Sequence, residues 1–331
     1  MCAEAVPPVG KFPAFVAFGE ALTDLIRSQP NQWLSVPGGS PWNIARAMSA
    51  FGVSSAFAGA ISQDCFGDTL WEQAVRGGLD LRFIQRLPKS PLLAVVHETC
   101  PPRYFFVGDD SADLYFSPGV LPCGWDRHVR WAHFGSISLA REPLASRLVS
   151  LAETLKRRGV RISYDPNFRG FMSEKYDAIL WRMAAVADLI KVSEEDLRGL
   201  FRVDDEQVAL ARLRQFNRQA VILFTTGEQG ASVYVGDECW HAHPPRIEVV
   251  DTVGAGDCSL AGMLSSVMCW PDNAWDAGSD FDLESGRDCS WERHLRQAVA
   301  AGTASCLSAG AEPPTTAQVN AMAASVAAGR C

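Results

Sequence analysis

The chain has 331 residues, 47% hydrophobic and 21% charged, which supplies a large core and excludes a disordered chain. Lys and Arg number 30 against 38 Asp and Glu, a net charge of −8 at pH 7. That balance, without a long basic run, argues against binding nucleic acid or anionic membrane, so a phosphorylated ligand must be met by a local device.

In chain order, Phe15–Phe18 predicts a strand ending at Gly19 and Glu20. Asn43–Phe51 has helical spacing, Val53–Gly59 returns to a strand, and Phe66–Arg76 is helical again. Leu92–Glu98 and Arg103–Val107 predict a hairpin that joins Gln32–Val36 in a small separate sheet, a candidate lid. The alternative is an edge hairpin of the main sheet. Glu142–Arg158 is an amphipathic helix, followed by strand Val160–Tyr164, helix Glu174–Ala187 and strand Asp188–Val192. Helices Glu194–Phe201 and Val208–Arg214 then lead to strand Val221–Thr225. Pro271–Ser290 is polar and acidic and reads as a surface loop. This alternation predicts an α/β fold with a mostly parallel central sheet flanked by helices.

The ten cysteines are scattered with no C-x-x-C pair, which predicts reduced thiols and, with no secretory leader or membrane span in view, a cytoplasmic protein. His241 and His243 share a strand face without a third ligand, so they predict no metal site.

The strongest chemical signal is Asp251-Thr-Val-Gly254-Ala255-Gly256-Asp257, directly before the apolar run Cys258–Trp270. Glycines before a helix let the backbone approach a ligand, and the helix start offers free N–H groups, so the segment predicts a phosphate seat. Asp257 beside it is placed to take a proton from an attacking hydroxyl. The structural alternative is a glycine turn with Asp257 as a helix cap. No Walker-A sequence and no G-x-G-x-x-G after the first strand are present, which argues against a P-loop or dinucleotide-binding protein.

Asp251–Asp257 resembles the DTxGAGD signature of the ribokinase-like (PfkB) carbohydrate kinases. The stretch Pro37-Gly-Gly-Ser-Pro-Trp-Asn43-Ile-Ala-Arg-Ala, with Phe51-Gly52, Gly59, Asp64 and Phe66-Gly67-Asp68, is similar to that family's N-terminal signature. The resemblance implies a kinase domain over 12–331, with a lid from about 20–38 and 91–117 inserted in it. It implies Asp257 as base, with Gly254, Ala255, Gly256 and Arg169 completing the catalytic set. Asp24, Gly38, Gly39, Asn43 and Phe105 would contact the sugar, together with Arg169 and Asp257. ATP would meet Asn167, Lys191, Ser193, Thr225, Gly227, Gly230, Gly254, Gly256 and Val299. Mg²⁺ would be served by Asp196 and Glu195, and potassium by the region of Asp251 and Ser308–Ala311.

Three positions depart from the family pattern. Ser193 and Asp196 stand where N-x-x-E is usual, and Val299 stands where Asn is usual. Asp165-Pro-Asn167-Phe-Arg169, the strand Arg103–Phe106 and His133–Pro143 resemble the fructokinase subgroup. Val107-Gly-Asp-Asp110 brings acidic residues where a sugar-acid kinase carries Arg, which disfavours a sugar acid. The resemblance thus implies transfer from ATP to the 6-hydroxyl of fructose by a homodimer joined through its lids. Other sugar kinases of the family (2-keto-3-deoxygluconate kinase, ribokinase) and a non-catalytic sugar- or nucleotide-binding regulator are the alternatives.

Overall fold

The first strand, β1 (Phe15–Phe18), already divides the interior: Val16 and Phe18 enter one core cluster, Phe15 and Ala17 the other. The computed structural model describes residues 11–331 apart from 100–101, 270–280, 283–286 and 289. Six further strands run parallel to β1: β4 (Ser55–Ser62), β5 (Ile84–Leu87), β8 (Trp131–Gly135), β9 (Arg161–Asp165), β10 (Leu189–Ser193) and β11 (Val221–Thr225). Their order across the sheet is β11-β10-β9-β8-β1-β4-β5. Antiparallel β12 (Ala231–Val235), β13 (Glu238–His243) and β16 (Ala327–Arg330) extend it beyond β11.

Both faces of the sheet are covered, which is why its central strands are apolar without interruption. One face packs on α3 (Leu144–Arg157), α4 (Asp177–Val186), α5 (Glu194–Phe201) and α6 (Glu206–Phe216). The other packs on α1 (Ser40–Ala50), α2 (Cys65–Arg76), α7 (Ala255–Val267), α8 (Trp291–Ser305) and α9 (Thr316–Ala323).

A second sheet stands apart, with order β3-β2-β6-β7, from β2 (Leu22–Gln29), β3 (Gln32–Gly38), β6 (Leu93–Thr99) and β7 (Pro102–Val107). The hairpin β6–β7 pairs with β2, not with an edge of the main sheet. Register puts Asp24, Val36, Ala94 and Phe106 on one face, and Leu25, Val95 and Phe105 on the other.

Several expectations need correction. Asp24 belongs to β2, beyond the end of β1, because the chain turns out of the main sheet at Gly19–Glu20. Helix α1 starts at Ser40, three residues before Asn43, since Pro41 fits a first helical turn. Helix α7 starts at Ala255, so Asp257 lies inside its first turn. Helix α8 begins at Trp291 behind an N-cap at Ser290. Cys239 and Cys331 form a disulfide, so the thiols are not all free: β16 returns the C-terminus beside β13, with the Cα atoms 5.3 Å apart.

Most of the predicted loop over 271–290 lies outside the described residues, which retain there only short strands β14 (Phe281–Asp282) and β15 (Arg287–Asp288) and the cap at Ser290. Among the described residues no helix is long and apolar enough to cross a membrane.

Candidate active site

Polar side chains gather at the carboxyl ends of the parallel strands, where α/β sheets place their ligands. Helix α7 begins there. Its N-cap is Gly254, at φ 79°, with no side-chain hydrogen bond to the helix start; the Ala255 amide donates to the Thr252 carbonyl at 3.2 Å, and the Gly256 and Asp257 amides are left to an anion. A side chain at Gly254 would be strained at this φ, and its Cβ would come within 2.9 Å of the Ala311 Cβ. Asp251 steadies the turn: Oδ1 accepts from the Val253 amide at 3.1 Å and Oδ2 from the Gly310 amide at 2.8 Å.

In the first turn of α7, Asp257 is half-buried and bonded to a different helix. Ser40 Oγ donates to its Oδ1 at 2.6 Å, and Asn43 Nδ2 to its Oδ2 at 2.8 Å. Burial pushes Asp257 above the usual carboxylate range, while the Ser40 and Asn43 bonds and the charges of Lys191 and Arg169 pull the other way. Asn43 Oδ1 is buried without a hydrogen-bond partner, an acceptor that a ligand hydroxyl would satisfy.

Two cations flank this carboxylate. Lys191, buried in the middle of β10, pairs with Asp165 Oδ2 at 3.2 Å and Asp196 Oδ2 at 3.6 Å. Its Nζ lies under the glycine turn, since a Cβ at Gly256 would come within 3.2 Å of it. Burial works to discharge Lys191, but Asp165, Asp196 and Asp257 together hold it protonated. Burial lifts Asp165 to about 7 although Lys191 opposes this. Arg169 lies on the loop after β9, where its Nη1 donates to Asn167 Oδ1 and the Phe168 carbonyl, each at 2.8 Å. Asn167 adopts φ 43° with its amide on Asp165 Oδ1 at 2.9 Å, which turns the loop back toward the strand end.

The charge of Arg169 reaches both Asp257 and Asp24. Burial raises Asp24 to about 6, with Arg169 acting against it. Asp24 sits against the end of β3, where a Cβ on Gly38 would approach its Oδ2 to 2.5 Å and one on Gly39 would meet the Glu20 carbonyl at 2.7 Å. Asp24, Gly38, Gly39, Asn43, Arg169, Lys191 and Asp257 therefore form one connected set with the α7 turn.

Other predicted residues fall differently. Ser193 and Asp196 form a capping box on α5. Asp196 accepts from the Phe168 amide, the Ser193 amide and Ser193 Oγ, each at 2.7 Å. Burial would raise Asp196, but Lys191 and these bonds hold it below the usual range. Glu195, the residue before Asp196, is exposed, and its charge acts on Tyr104. Among the described residues no group of three or more His, Cys, Asp or Glu could hold a metal ion.

Thr225 ends β11, and the turn Gly227–Gly230 follows, closed by the Thr226 amide on the Gly230 carbonyl at 2.9 Å. Val299 is not brought to an open site: it is buried in the core cluster shared by α7 and α8. Phe105 is not brought there either. Strand alternation turns it to the outer face of the small sheet, 52% exposed, with its ring 6.2 Å from that of His97. Tyr104 and Phe106 occupy the inner face instead, and Phe106 meets Phe171 edge-to-face at 5.7 Å. The acidic Asp110 pairs at the surface with Lys89 at 2.9 Å, so its charge is already met there. Cys258 is buried and its thiol is pushed up to about 12 by burial, which makes it unreactive.

Sequence reasoning missed Ser40, although it stands one turn before Asn43 on the same helix face. It also missed Glu20, whose Oε2 accepts from the Ser138 amide at 3.2 Å and from Ser138 Oγ while Oε1 has no hydrogen-bond partner. Burial drives Glu20 to about 7.

An anion seat, buried cations and a shielded carboxylate at the ends of a parallel sheet are the working parts of a phosphoryl-transfer enzyme. Similarity to known proteins narrows that class. The pfkB family carbohydrate kinase model matches residues 14–318, so the chain belongs to this family and is a sugar kinase. A fructokinase of Klebsiella pneumoniae is 31% identical over 276 residues, covering 80% of this chain and 88% of the relative. Aminoimidazole riboside kinase of Salmonella typhimurium is 28% identical over 261 residues, 76% of this chain and 81% of the relative. The crystal structure of fructokinase with bound ATP from Xylella fastidiosa superposes with TM-score 0.83 at 25% identity, covering 94% of this chain and 98% of that one.

Proposed function

We propose that the protein is a fructokinase, passing the γ-phosphoryl of ATP to the 6-hydroxyl of D-fructose with Asp257 as general base. The observation that carries this reading is the half-buried Asp257 carboxylate in the first turn of a helix with no side-chain cap, flanked by Lys191 and Arg169. The α7 amides receive the γ-phosphoryl, and Arg169 and Lys191 offset the charge that develops on it. Asp24 and the free Asn43 Oδ1 orient the sugar, with Gly38 and Gly39 leaving room for it. Thr225, Gly227 and Gly230 line the nucleotide side. The small sheet, from about 20–38 and 91–117, is the lid that excludes water, with Tyr104 and Phe106 facing the sugar. Fructose is favoured by the relatives named fructokinase and by the segment Asp165–Arg169.

Mg²⁺ enters with the nucleotide and supplies charge neutralisation on its phosphates. Potassium would find Asp251 already holding two amides, leaving the carbonyls of loop 308–311 as its ligands. The outer lid face presents Trp33, Phe105 and Val107, 46%, 52% and 48% exposed, and is the face through which two copies would pair. An ADP-release assay over fructose, ribose, 2-keto-3-deoxygluconate and aminoimidazole riboside tests the reading. Fructose should give the highest kcat/KM. Turnover confined to another sugar would overturn the substrate, and saturable sugar binding without ADP release would overturn the enzyme.

A further inference from the structure

We propose that Ser40 is a positioning residue for the base, holding Asp257 ionised and oriented for proton abstraction, an inference that rests on the reading of Asp257 given above. Ser40 is the first residue of α1, buried, and its hydroxyl lies 2.6 Å from Asp257 Oδ1, 217 positions away in sequence. A hydroxyl has one proton to give, and here it goes to the carboxylate. Asn43, three residues on, holds Oδ2 at 2.8 Å, so the first turn of α1 fixes both oxygens and leaves each with one lone pair.

This arrangement answers a physical conflict. Asp257 is half-buried, and the burial favours its neutral form, in which it could not accept a proton. The hydrogen bonds from Ser40 and Asn43 favour the charged form and work against that burial. The charged groups facing Asp257 are Lys191 in the middle of β10, Arg169 after β9 and Asp165 at the end of β9, with Cys258 beside it on α7. Arg46, also on α1, acts on Cys258 and is paired with Glu312. None of these is removed when the Ser40 hydroxyl is lost, so a change in the titration of Asp257 reports that hydroxyl alone. In the step itself the sugar O–H bond breaks, its proton passes to a lone pair of Asp257, the sugar oxygen bonds to the γ-phosphorus, and ADP leaves with the electron pair of the broken P–O bond.

The test is the pH profile of kcat/KM in Ser40→Ala, Ser40→Thr and Ser40→Cys, each checked by thermal denaturation. Removing a donor to a charged acceptor should move the acid limb of Ser40→Ala upward by about one pH unit and lower turnover at the acid end about tenfold, with the sugar KM nearly unchanged. Ser40→Thr keeps the hydroxyl and should return the limb toward wild type. An acid limb at the wild-type position in Ser40→Ala, whatever its kcat, would overturn the proposal and leave Ser40 a packing residue. Where Ser40→Ala fails to fold, Ser40→Cys decides: its weaker donor should shift the limb in the same direction, and an unshifted limb counts against the proposal. Asp257→Asn is run beside them. If it keeps full turnover, the assignment of the base fails, and that failure is separate from any result at Ser40.

Discussion

Helices α5 and α7 both start at the carboxyl edge of the parallel sheet, and both carry a carboxylate in the first turn, yet their chemistry is opposite. The start of α5 is sealed: Ser193 and Asp196 cap it reciprocally, and Asp196 also takes the Phe168 amide. The start of α7 is open: Gly254 supplies no cap, and Asp257 is held by Ser40 and Asn43 of α1. A helix start becomes a ligand seat when its own carboxylate is held elsewhere. Lys191 lies between the two, paired with Asp196 of the closed start and lying under Gly256 of the open one.

That comparison can be broken most forcefully at Lys191. Lys191→Met would leave Asp165 and Asp196 buried without their cation, and the expected loss is about 3–5 kcal/mol of unfolding free energy by urea denaturation, together with loss of turnover. A variant as stable as wild type would show that the buried pair contributes little.

Glu20, a third carboxylate at the same strand ends, sharpens the contrast because it has no cation beside it. Its folded pKa of about 7 lies above the ordinary glutamate value of 4.5, so the folded protein keeps the proton after the unfolded chain has lost it. Stability is therefore lost as pH rises from about 4.5 to 7. Glu20→Gln should remove that loss, gaining roughly 3 kcal/mol relative to wild type at pH 8 and little at pH 4.5. Parallel stability curves for the two proteins would contradict this.

Gly254→Ala should cost about 1–2 kcal/mol of stability, read by thermal denaturation, from left-handed backbone and the contact with Ala311, and should raise the nucleotide KM. Ser193→Ala opens the closed helix start and should cost about 1 kcal/mol, with turnover reduced much less than by any change at Asp257. A Ser193→Ala enzyme as inactive as an Asp257 variant would erase the distinction between the two starts.

Much of this was legible in the sequence. Strong apolar runs such as Val221–Thr225 and the helix Glu194–Phe201 appear at their predicted bounds, because parallel strands buried on both faces leave little freedom in pattern. The glycine turn before α7 was legible because only a few residue types tolerate its backbone. What failed depended on pairing or alternation between distant segments. Phe105 and Tyr104 differ by one position, and only the register of β6 with β7 decides which faces inward. Asp196 was legible as a carboxylate near the site, but only the fold shows both its oxygens taken by Ser193 and Phe168. The Ser40–Asp257 bond spans most of the chain and leaves no local periodicity to read.

The measurement that bears most directly on the account is the turnover of purified Asp257→Asn with fructose and Mg·ATP, read as ADP release beside wild type. The substitution is nearly isosteric, so folding should be retained while the base is lost. Turnover should fall on the order of 10²–10⁴-fold with sugar binding preserved. Turnover within a few-fold of wild type would contradict the assignment of Asp257 as the base and with it the contrast between the two helix starts.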